Sequence, residues 1–563
     1  SVFPQASFGC RNSEQSWSVE VITPREQIEL IEADRRVIEA GSLSPSLSGL
    51  LRLGADRYPQ QIALREIDGQ GRALTYRNLN GFVWKIVALL SSHGVERGTH
   101  VAIALPNCVE IIAIWIALSR MGAVAVGVNP SLTEKELEYI LETSDSEFLV
   151  LDAGRQDWVS DWAGFRLPSE RIIVVGSKAG QHIGQSFDAA LAEQGYREPP
   201  VATPDIDMPA SILYTSGSSG RPKPALLPHR WHTMMGHVRS LQGPRIANLL
   251  IENPIYYMGG QWRLAMALTQ GATVLMASKP TLNHFAERLT GYEVQFSSLP
   301  NLIAKRPDFS LDIRSRLKWM ACCALPKELH VEAERRLRAP IREIYGSTEM
   351  GSTIVMPTRA TSMVGSGSVG LPAAFRSCRI VDTLGNEVSR GSVGELQVRG
   401  PGMLSGYYKS PGASADAFDD AGWFKTGDLF RQDSDGYYFW VARAKDVIRR
   451  SNENISATEL EEEVDRLAGI LEVAAVPVPD DYRGEEVKLY IRLQPGFSTS
   501  EVPPKAILEH CRGRLATYKL PRYIEYVDEF PLTVSLKISK PDLKKAKPDL
   551  RVGSFDLAEN LWR

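Results

Sequence analysis

Four short stretches of this chain combine glycine, hydroxyl and charged side chains in ways that could bind and transfer phosphate groups. In the first, 211–223 (SILYTSGSSGRPK), an apolar run leads into a loop of small residues that ends at Lys223. Small residues let backbone N–H groups and hydroxyls surround phosphate oxygens, and a lysine neutralises their charge. The loop is not a Walker A loop, because only two residues separate Gly217 from Gly220 and no Ser or Thr follows Lys223. A Ser- and Gly-rich surface turn is the alternative interpretation.

The second stretch is 344–351 (IYGSTEMG), a short apolar run that ends in a turn of small residues. A carboxylate such as Glu349 beside a hydroxyl such as Thr348 could hold a hard cation and a phosphate oxygen together, which Mg-nucleotide chemistry requires. An exposed turn in which the threonine caps a helix is the alternative.

The third and fourth stretches offer groups for a sugar and for a reacting centre. Asp428 ends the stretch 422–428 (GWFKTGD), and Arg443 follows it in the chain. An aspartate can accept both hydroxyls of a ribose, and an arginine can add a planar donor to the same sugar; a turn beside a solvated basic face is the alternative. Lys537 lies in 531–538 (PLTVSLKI), a predicted loop, where most lysines are only solvated.

Between residues 74 and 355, stretches with helical periodicity alternate with short apolar runs that are bounded by Gly or Pro. This alternation predicts βαβ units and wound α/β sheets. The clearest examples are helices over 77–93, 109–121 and 133–143, and strands over 100–105, 123–128 and 147–152.

The pattern changes twice towards the C-terminus. Residues 365–440 are Gly-rich with strand-like pieces at 377–381 and 394–399, which predicts a β-rich subdomain. Beyond it, Ser456 and Glu459 form a capping-box pattern that predicts a helix start. We therefore expect an α/β fold with a large N-terminal domain over 1–443 and a small α+β C-terminal domain over 444–563. The elements expected in the small domain are strands over 472–478, 486–493 and 522–527, and a helix over 503–515.

Composition excludes several classes of protein. The 563 residues are 43% hydrophobic and 23% charged, which argues against a disordered, collagen-like or disulfide-scaffold protein. A net charge of -3 provides no general field for binding nucleic acid. Six Cys without a CxxC pattern predict reduced thiols and a cytoplasmic location. The most apolar run, 111–118, is too short to span a bilayer, and the first residues lack the pattern of a secretory signal.

In this order and spacing, the four stretches resemble the adenylate-forming superfamily of acyl-CoA synthetases, non-ribosomal-peptide adenylation domains and luciferases. Residues 121–130 (MGAVAVGVNP), 394–401 (GELQVRGP) and 406–408 (GYY) are similar to further motifs of the family. The resemblance implies that a small-molecule carboxylic acid reacts with ATP to give an acyl-adenylate and pyrophosphate, and that the acyl group then passes to a thiol. It implies ATP, Mg2+ and coenzyme A as cofactors, and a monomer or homodimer.

The resemblance also implies roles for matching positions. Lys445 would be the hinge about which a mobile small domain rotates, bringing Lys537 to the reacting carboxylate and phosphate in the first half-reaction. In the second half-reaction, the segment that begins at Arg449 would face the acceptor tunnel. Thr348 would contact the α-phosphate and Glu349 would help bind Mg2+. The remaining implied nucleotide-binding residues are Thr215, Ser216, Gly217, Ser218, Ser219, Gly220 and Lys223 for the triphosphate, Tyr345 and Gly346 beside it, and Asp428 and Arg443 for the ribose.

The expected acyl pocket is formed by Tyr257, Gly260, Trp262, Cys322 and Cys323. Because Trp262 and the cysteine pair add volume, the prediction is a small to medium acid; in the alternative, the cysteines are simply small buried side chains. Three further positions hold a larger residue where the family usually has glycine, namely Pro224, Asn452 and Leu536. They leave open two other functions: transfer of the acyl group to a carrier protein or an amine, and a non-catalytic nucleotide-binding relative.

Overall fold

The computed structural model describes residues 24–68, 71–159, 167–176, 184–194, 203–215, 222–306, 309, 316–450, 453–512, 514–515, 517–533 and 537–563. The helices of these ranges are α1 Pro24–Ala40, α2 Leu47–Arg57, α3 Tyr76–Ser92, α4 Val109–Met121, α5 Glu134–Thr143, α6 Phe187–Ala192, α7 His229–Ser240, α8 Met258–Gln270, α9 Phe285–Gly291, α10 Asn301–Lys305, α11 Lys327–Leu337, α12 Pro411–Ala417, α13 Ala457–Asp465, α14 Pro504–Cys511 and α15 Lys540–Lys545.

The strands of the same ranges form four sheets. In chain order they are β1 Ile62–Glu66, β2 Ala73–Thr75, β3 His100–Ala104, β4 Val124–Gly127, β5 Phe148–Asp152, β6 Ile172–Val175, β7 Gln185–Ser186, β8 Pro209–Thr215, β9 Lys223–Pro228, β10 Asn248–Ile251, β11 Thr273–Met276, β12 Phe296–Ser298, β13 Trp319–Cys322, β14 Ile341–Ser347, β15 Gly351–Val355, β16 Leu371–Pro372, β17 Ser377–Val381, β18 Gly394–Arg399, β19 Gly406–Tyr407, β20 Phe424–Gln432, β21 Tyr438–Arg443, β22 Val447–Arg450, β23 Glu453–Ser456, β24 Ile470–Asp480, β25 Gly484–Leu493, β26 Tyr523–Tyr526, β27 Phe555–Asp556 and β28 Leu561–Trp562.

Two large sheets with parallel centres form the α/β part. One has nine strands in the order β16-β15-β14-β13-β12-β10-β11-β1-β2, and the other has eight in the order β19-β9-β8-β4-β3-β5-β6-β7. Their central neighbours run parallel, and one hydrophobic core contains residues of both sheets. Every residue of α4 is buried, because this helix lies within that shared core. Parallel sheets need cover on both faces, and such all-round apolar helices supply it.

The other two sheets are mainly antiparallel. The β-rich part is the four-stranded sheet β17-β18-β20-β21, and the last sheet has seven strands, with β24 paired to β25 beside the path β23-β22-β25-β26-β27-β28. The last sheet, with α13 and α14, encloses a hydrophobic core of its own. The predicted α/β class, with a β-rich region before a separate α+β unit, is confirmed.

Most predicted elements agree with the structure to within one or two residues, and 109–121, 377–381 and 394–399 match in full. The helix predicted over 503–515 is shorter, because the backbone at Arg512 is extended and ends α14. The strand predicted over 472–478 is longer and includes Pro477 and Pro479. Among the described strands, β24 pairs only with β25, and an edge strand tolerates proline because one row of its N–H groups needs no partner.

The capping box predicted at Ser456 is only partly correct. The Ser456 hydroxyl accepts a hydrogen bond from the Glu459 N–H at 3.2 Å. The Glu459 carboxylate instead accepts from the Lys519 ammonium at 2.6 and 2.7 Å, so it binds a neighbouring segment and not the start of its own helix. Within the described ranges, each helix falls short of the length and apolar character that a membrane crossing demands.

Candidate active site

The first predicted stretch forms the hairpin between β8 and β9. Thr215 and Lys223 face each other across the two strands, so they close the base of the predicted phosphate-binding loop. The loop residues between them lie outside the described residues; they include Ser216, Gly217, Ser218, Ser219 and Gly220. Pro224, where the family usually has glycine, pairs opposite Tyr214, and its carbonyl accepts from the Tyr408 N–H at 2.8 Å.

Tyr407 connects this hairpin to the second predicted stretch. Strand β19 pairs antiparallel with β9, which places the Tyr407 ring centroid 5.2 Å from the Lys223 ammonium. The Tyr407 hydroxyl donates to a carboxylate oxygen of Glu349 at 3.0 Å, and the Ser347 hydroxyl donates to the other at 2.8 Å. Burial and the nearby Glu349 charge raise the pKa of Tyr407, so its hydroxyl remains a donor. Lys223 and Glu349 therefore lie beside the same aromatic ring.

The turn after β14 carries Thr348 and Glu349. The indole N–H of Trp231, on α7, donates to the Thr348 carbonyl at 2.9 Å and fixes the turn. Gly346 lies opposite Ser352 in the β14–β15 ladder, and a Cβ at this position would be 2.1 Å from the Gly351 carbonyl oxygen. The strand pairing itself thus requires glycine at position 346.

Asp428 joins the second and third stretches. It lies within β20 opposite Arg443 of β21, and its side chain is only 3% exposed. One carboxylate oxygen accepts from the Tyr345 hydroxyl at 2.6 Å. The other accepts from the Trp440 indole at 3.2 Å and pairs with the Arg443 guanidinium at 2.9 Å. Asp428 is therefore a buried, oriented acceptor and not a residue of a solvated turn.

Lys537 lies beside Thr533 in the last unit of the chain. The Thr533 N–H donates to the Lys537 carbonyl at 2.7 Å, and Leu532 and Ile538 form a bridge beside it. The Lys537 side chain is exposed. Leu536, which precedes it, lies outside the described residues. The charge of Lys537 acts on the Cys323 thiol, at the end of β13.

The last sheet is held in this position by a few polar contacts with the rest of the chain. Asp465 pairs with Lys305 at 2.8 Å, Arg466 pairs with Glu328, and the Ser456 hydroxyl donates to the Val441 carbonyl at 3.1 Å. The predicted hinge, Lys445, lies in the turn Ala444–Asp446 between β21 and β22. The side chains of Lys445 and Arg449, and all of Asn452, are outside the described residues.

The two adjacent cysteines differ in exposure. Cys322 is 1% exposed and packs in a hydrophobic cluster, as expected of a small buried side chain, whereas Cys323 is exposed. The buried Glu343 accepts from the N–H groups of Ala324 and Leu325 at 3.0 and 2.6 Å and so fixes this turn. Desolvation by the surrounding protein and the charge of Glu343 raise the pKa of the Cys323 thiol, and nearby cations oppose that rise.

The remaining predicted pocket residues cluster around α8. Tyr257 precedes this helix and its hydroxyl accepts from the Asn129 amide at 3.2 Å. Gly260 is buried, and a Cβ there would be 2.5 Å from the Pro254 carbonyl oxygen, so its small size serves helix packing. Trp262 is 3% exposed and fills space beside Phe296, with ring centroids 6.0 Å apart.

Several residues of the site were not predicted. Tyr407 was noticed only as part of a motif, although it contacts both charged stretches. Outside that contact network, Arg263 lies within residues 260–268 of α8, which are all buried, and an arginine in so apolar a helix segment is a readable signal. The described residues include no group of three or more His, Cys, Asp or Glu that could hold a metal. A magnesium ion here would rely on Glu349 and on phosphate oxygens, a common arrangement for Mg-nucleotides.

The Gly346→Ala substitution tests the packing of the β14–β15 hairpin. We expect it to lower the free energy of unfolding by about 1–3 kcal/mol, because the new methyl group collides with backbone. Gly412→Ala is the matched control: no atom lies within 4 Å of its Cβ position in α12, and it should raise stability by about 0.5–1 kcal/mol. Urea unfolding of both variants measures the difference, and an unchanged Gly346→Ala midpoint would refute the packing argument.

Comparison with known proteins agrees with this geometry. The family "AMP-binding enzyme" matches residues 51–408, and "AMP-binding enzyme C-terminal domain" matches residues 459–537. An indoleacetate–CoA ligase of Aromatoleum aromaticum is 30% identical, over 84% of this chain and 93% of the relative. A sulfoacetate–CoA ligase of Cupriavidus necator is 28% identical, over 88% of this chain and 96% of the relative.

Solved structures share the fold. ATP-bound MatB from Rhodopseudomonas palustris aligns with a TM-score of 0.80 at 23% identity, over 90% of this chain and 99% of that chain. The anthranilate CoA ligase AuaEII with anthranoyl-AMP aligns with a TM-score of 0.81 at 23% identity, over 90% and 98%. With both family matches, a 30% identical relative and one contact network that links three of the predicted stretches, the chain belongs to the AMP-binding enzyme family and is an acyl-CoA synthetase of the adenylate-forming superfamily.

Proposed function

We propose that this protein is an ATP-dependent acid:CoA ligase that forms an acyl-adenylate with release of pyrophosphate and then an acyl-CoA thioester with release of AMP. The observation that carries the proposal is that charged residues from different sheets lie close together. Lys223, Glu349 and Asp428 belong to three different sheets and are linked by contacts through Tyr407 and Tyr345. The charge of Lys537, in the last unit of the chain, acts on the Cys323 thiol of the predicted acyl pocket and so supports a place near the site.

In the first half-reaction, the difficulty is that an anionic carboxylate must attack an anionic phosphorus. Lys223 and the loop it closes would hold the β- and γ-phosphates, and Thr348 would contact the α-phosphate. Lys537 would lie between the carboxylate and the α-phosphate, where it offsets the charge that develops during attack. Glu349 would hold Mg2+, which neutralises phosphate charge when bound. Asp428, oriented by Tyr345 and Arg443, would accept the ribose hydroxyls and keep the α-phosphate in line.

In the second half-reaction, Lys537 must leave so that a thiol can reach the acyl carbon. We propose that the last unit rotates about Lys445 and brings the Arg449 segment towards the acceptor. The pairs that hold the present orientation, Lys305 with Asp465 and Arg466 with Glu328, are all partly exposed. Exposed pairs contribute about 0–1 kcal/mol each. Breaking them therefore costs little, as a rotation in every catalytic cycle requires.

For the acceptor, the relatives support coenzyme A: the named activities include indoleacetate–CoA ligase, sulfoacetate–CoA ligase and feruloyl-CoA synthase. For the acid, we keep the prediction of a small to medium substrate, now based on Trp262 and Cys323, because Cys322 lies in the core. Transfer to a carrier protein or an amine is the alternative acceptor chemistry, and it draws on Asn452 and Leu536. The cytoplasmic location and a monomeric or dimeric state also remain predictions.

The test is to incubate the enzyme with ATP, Mg2+ and carboxylic acids of different length and shape, with and without coenzyme A, and to quantify AMP and acyl-CoA. The proposal expects acyl-CoA and AMP in equal amounts and slow AMP release without coenzyme A. Hydroxylamine added in place of coenzyme A should trap the adenylate as a hydroxamate. Hydroxamate without any thioester would exclude coenzyme A as the acceptor and favour the alternative.

Tyr407 supplies a second test of the phosphate site. Tyr407→Phe keeps the ring beside Lys223 but removes the hydrogen bond to Glu349, so we expect kcat/KM for ATP to fall about tenfold. Tyr408→Phe is the control, because the hydroxyl of this adjacent tyrosine donates to Asp145. Its kcat/KM should stay within about twofold of wild type. Equal effects of the two substitutions would show that Tyr407 does not position Glu349.

A further inference from the structure

Two arginines are buried together against the side chain of Trp262. Arg239, on α7, is 0% exposed, and Arg263, on α8, is 5% exposed. Both guanidinium groups lie against the Trp262 indole, with the central carbons 4.5 and 4.2 Å from a ring centroid. Arginine is almost never fully buried unless it is paired, so two such residues at one tryptophan call for a partner.

The hydrogen bonds of the two arginine side chains do not use all of their N–H donors. Arg263 donates to the Gly259 carbonyl and to the Ser298 hydroxyl. Arg239 donates to the Gln242 amide oxygen, while its Nε and Nη2 groups are buried and have no partner among the described residues. Every acceptor in this set is neutral.

No described carboxylate forms an ion pair with either arginine. Glu252 acts on the charge of Arg263, but the Glu252 carboxylate accepts from Arg288 and pairs with it. Burial lowers the pKa of Arg239 to about 9 and that of Arg263 to about 10, and Arg263 repels Arg239 further. Two uncompensated buried cations are costly in a folded protein. An anion that binds between them would remove that cost.

The arginine pair lies next to the reacting centre. Arg263 donates to Ser298, which pairs across the sheet with Ala321, two residues before Cys323. The charges of Lys537, Arg263 and Arg239 all act on the Cys323 thiol. The two arginines belong to α7 and α8, whereas Lys537 belongs to the last unit of the chain. An acid whose carboxylate faces Lys537 would extend past Cys323 towards the arginine pair.

We propose that the acid substrate carries a second anionic group, such as another carboxylate or a sulfonate, and that Arg239 and Arg263 bind this group. This inference rests on the proposed ligase function and specifies its substrate class. The planar guanidinium groups match the paired oxygens of such a group, and the unused Nε and Nη2 donors of Arg239 form one fork suited to it. The Trp262 indole packs against both guanidinium groups and fixes their positions.

The test compares matched acids in acid-dependent exchange of pyrophosphate into ATP. The pairs are succinate with butanoate, glutarate with pentanoate, 3-sulfopropanoate with butanoate, and phthalate with benzoate. We expect kcat/KM to be at least about 100-fold higher for the dianionic member of at least one pair, the size of effect that charged hydrogen bonds give. Arg239→Met and Arg263→Met should each remove most of that preference while the activity with the monoanionic acid is kept or increased.

Arg335→Met is the matched control, because Arg335 is exposed and, among the described residues, pairs only with Glu332 on its own helix. It should leave the ratio between paired acids unchanged. If the methionine variants fail to fold, Arg263→Lys and the wild-type comparison still decide. If the wild-type enzyme were equally or more active with the monoanionic acid of every pair, this inference would be wrong and the ligase proposal would stand. The partner of the two arginines would then be water or a halide ion. Exchange of pyrophosphate into ATP that proceeds without any added acid would overturn both this inference and the ligase proposal.

Discussion

Replacing Lys537 with alanine should slow acyl-adenylate formation by about 10²- to 10³-fold and leave thioester formation from supplied acyl-adenylate within a few-fold of wild type. The reason is positional. Lys537 belongs to the small unit, and its charge acts on the Cys323 thiol of the predicted acyl pocket. In the proposed reaction, it offsets the charge that develops on the attacked phosphate. In the proposed rotation, that lysine leaves the site before the thioester half-reaction.

The two half-reactions can be measured separately with purified acyl-adenylate. Lys545→Ala is the matched control, because Lys545 is an exposed lysine on α15 of the same unit. Both of its half-reactions should resemble wild type. If Lys537→Ala slowed both half-reactions equally, the lysine would have a structural role and the proposed rotation would lose its support.

Replacing Glu349 with glutamine should lower kcat/KM for ATP by about 100-fold at fixed Mg2+ and raise the Mg2+ concentration needed for half-maximal activity by about 10- to 100-fold. The amide keeps an oxygen for the donors Tyr407 and Ser347, so the turn should remain folded. What it loses is the negative charge that a hard cation requires.

A Mg2+ titration at constant ATP, together with thermal unfolding, separates these effects. Glu387→Gln is the control, because Glu387 is exposed in the connection between β17 and β18, away from the cleft. An unchanged Mg2+ requirement in Glu349→Gln would assign the carboxylate to hydrogen bonding alone and remove it from the proposed metal site.

Local patterns were sufficient to predict most of the fold. The helix α4 could be predicted at 109–121 because an apolar run ends at Gly122, which adopts the left-handed conformation of a helix C-cap. The strands 377–381 and 394–399 are bounded by turn residues. Such signals are short-range, and so they do not show how long edge strand β24 becomes once β25 pairs with it.

The contacts of the site were harder to predict, because they join residues that are far apart in the chain. Tyr345 and Asp428 are 83 positions apart, and Tyr407 and Glu349 are 58 positions apart. The resemblance named Asp428, Glu349 and Tyr345, but the contacts of Tyr345 with Asp428 and of Tyr407 with Glu349 depend on sheet packing. The sequence alone also could not separate Cys322 from Cys323. Their opposite exposures follow from the end of β13 and from the turn that Glu343 fixes.

The central claim is that separate parts of one chain meet around ATP and transfer its adenylyl group to an organic acid. The most direct measurement is exchange of radiolabelled pyrophosphate into ATP by the full-length protein, with coenzyme A omitted and acids added one at a time. We predict exchange that depends strictly on an acid and is lost in Lys537→Ala. Exchange that proceeds equally without acid, or none with any acid although ATP binds, would contradict the proposed function.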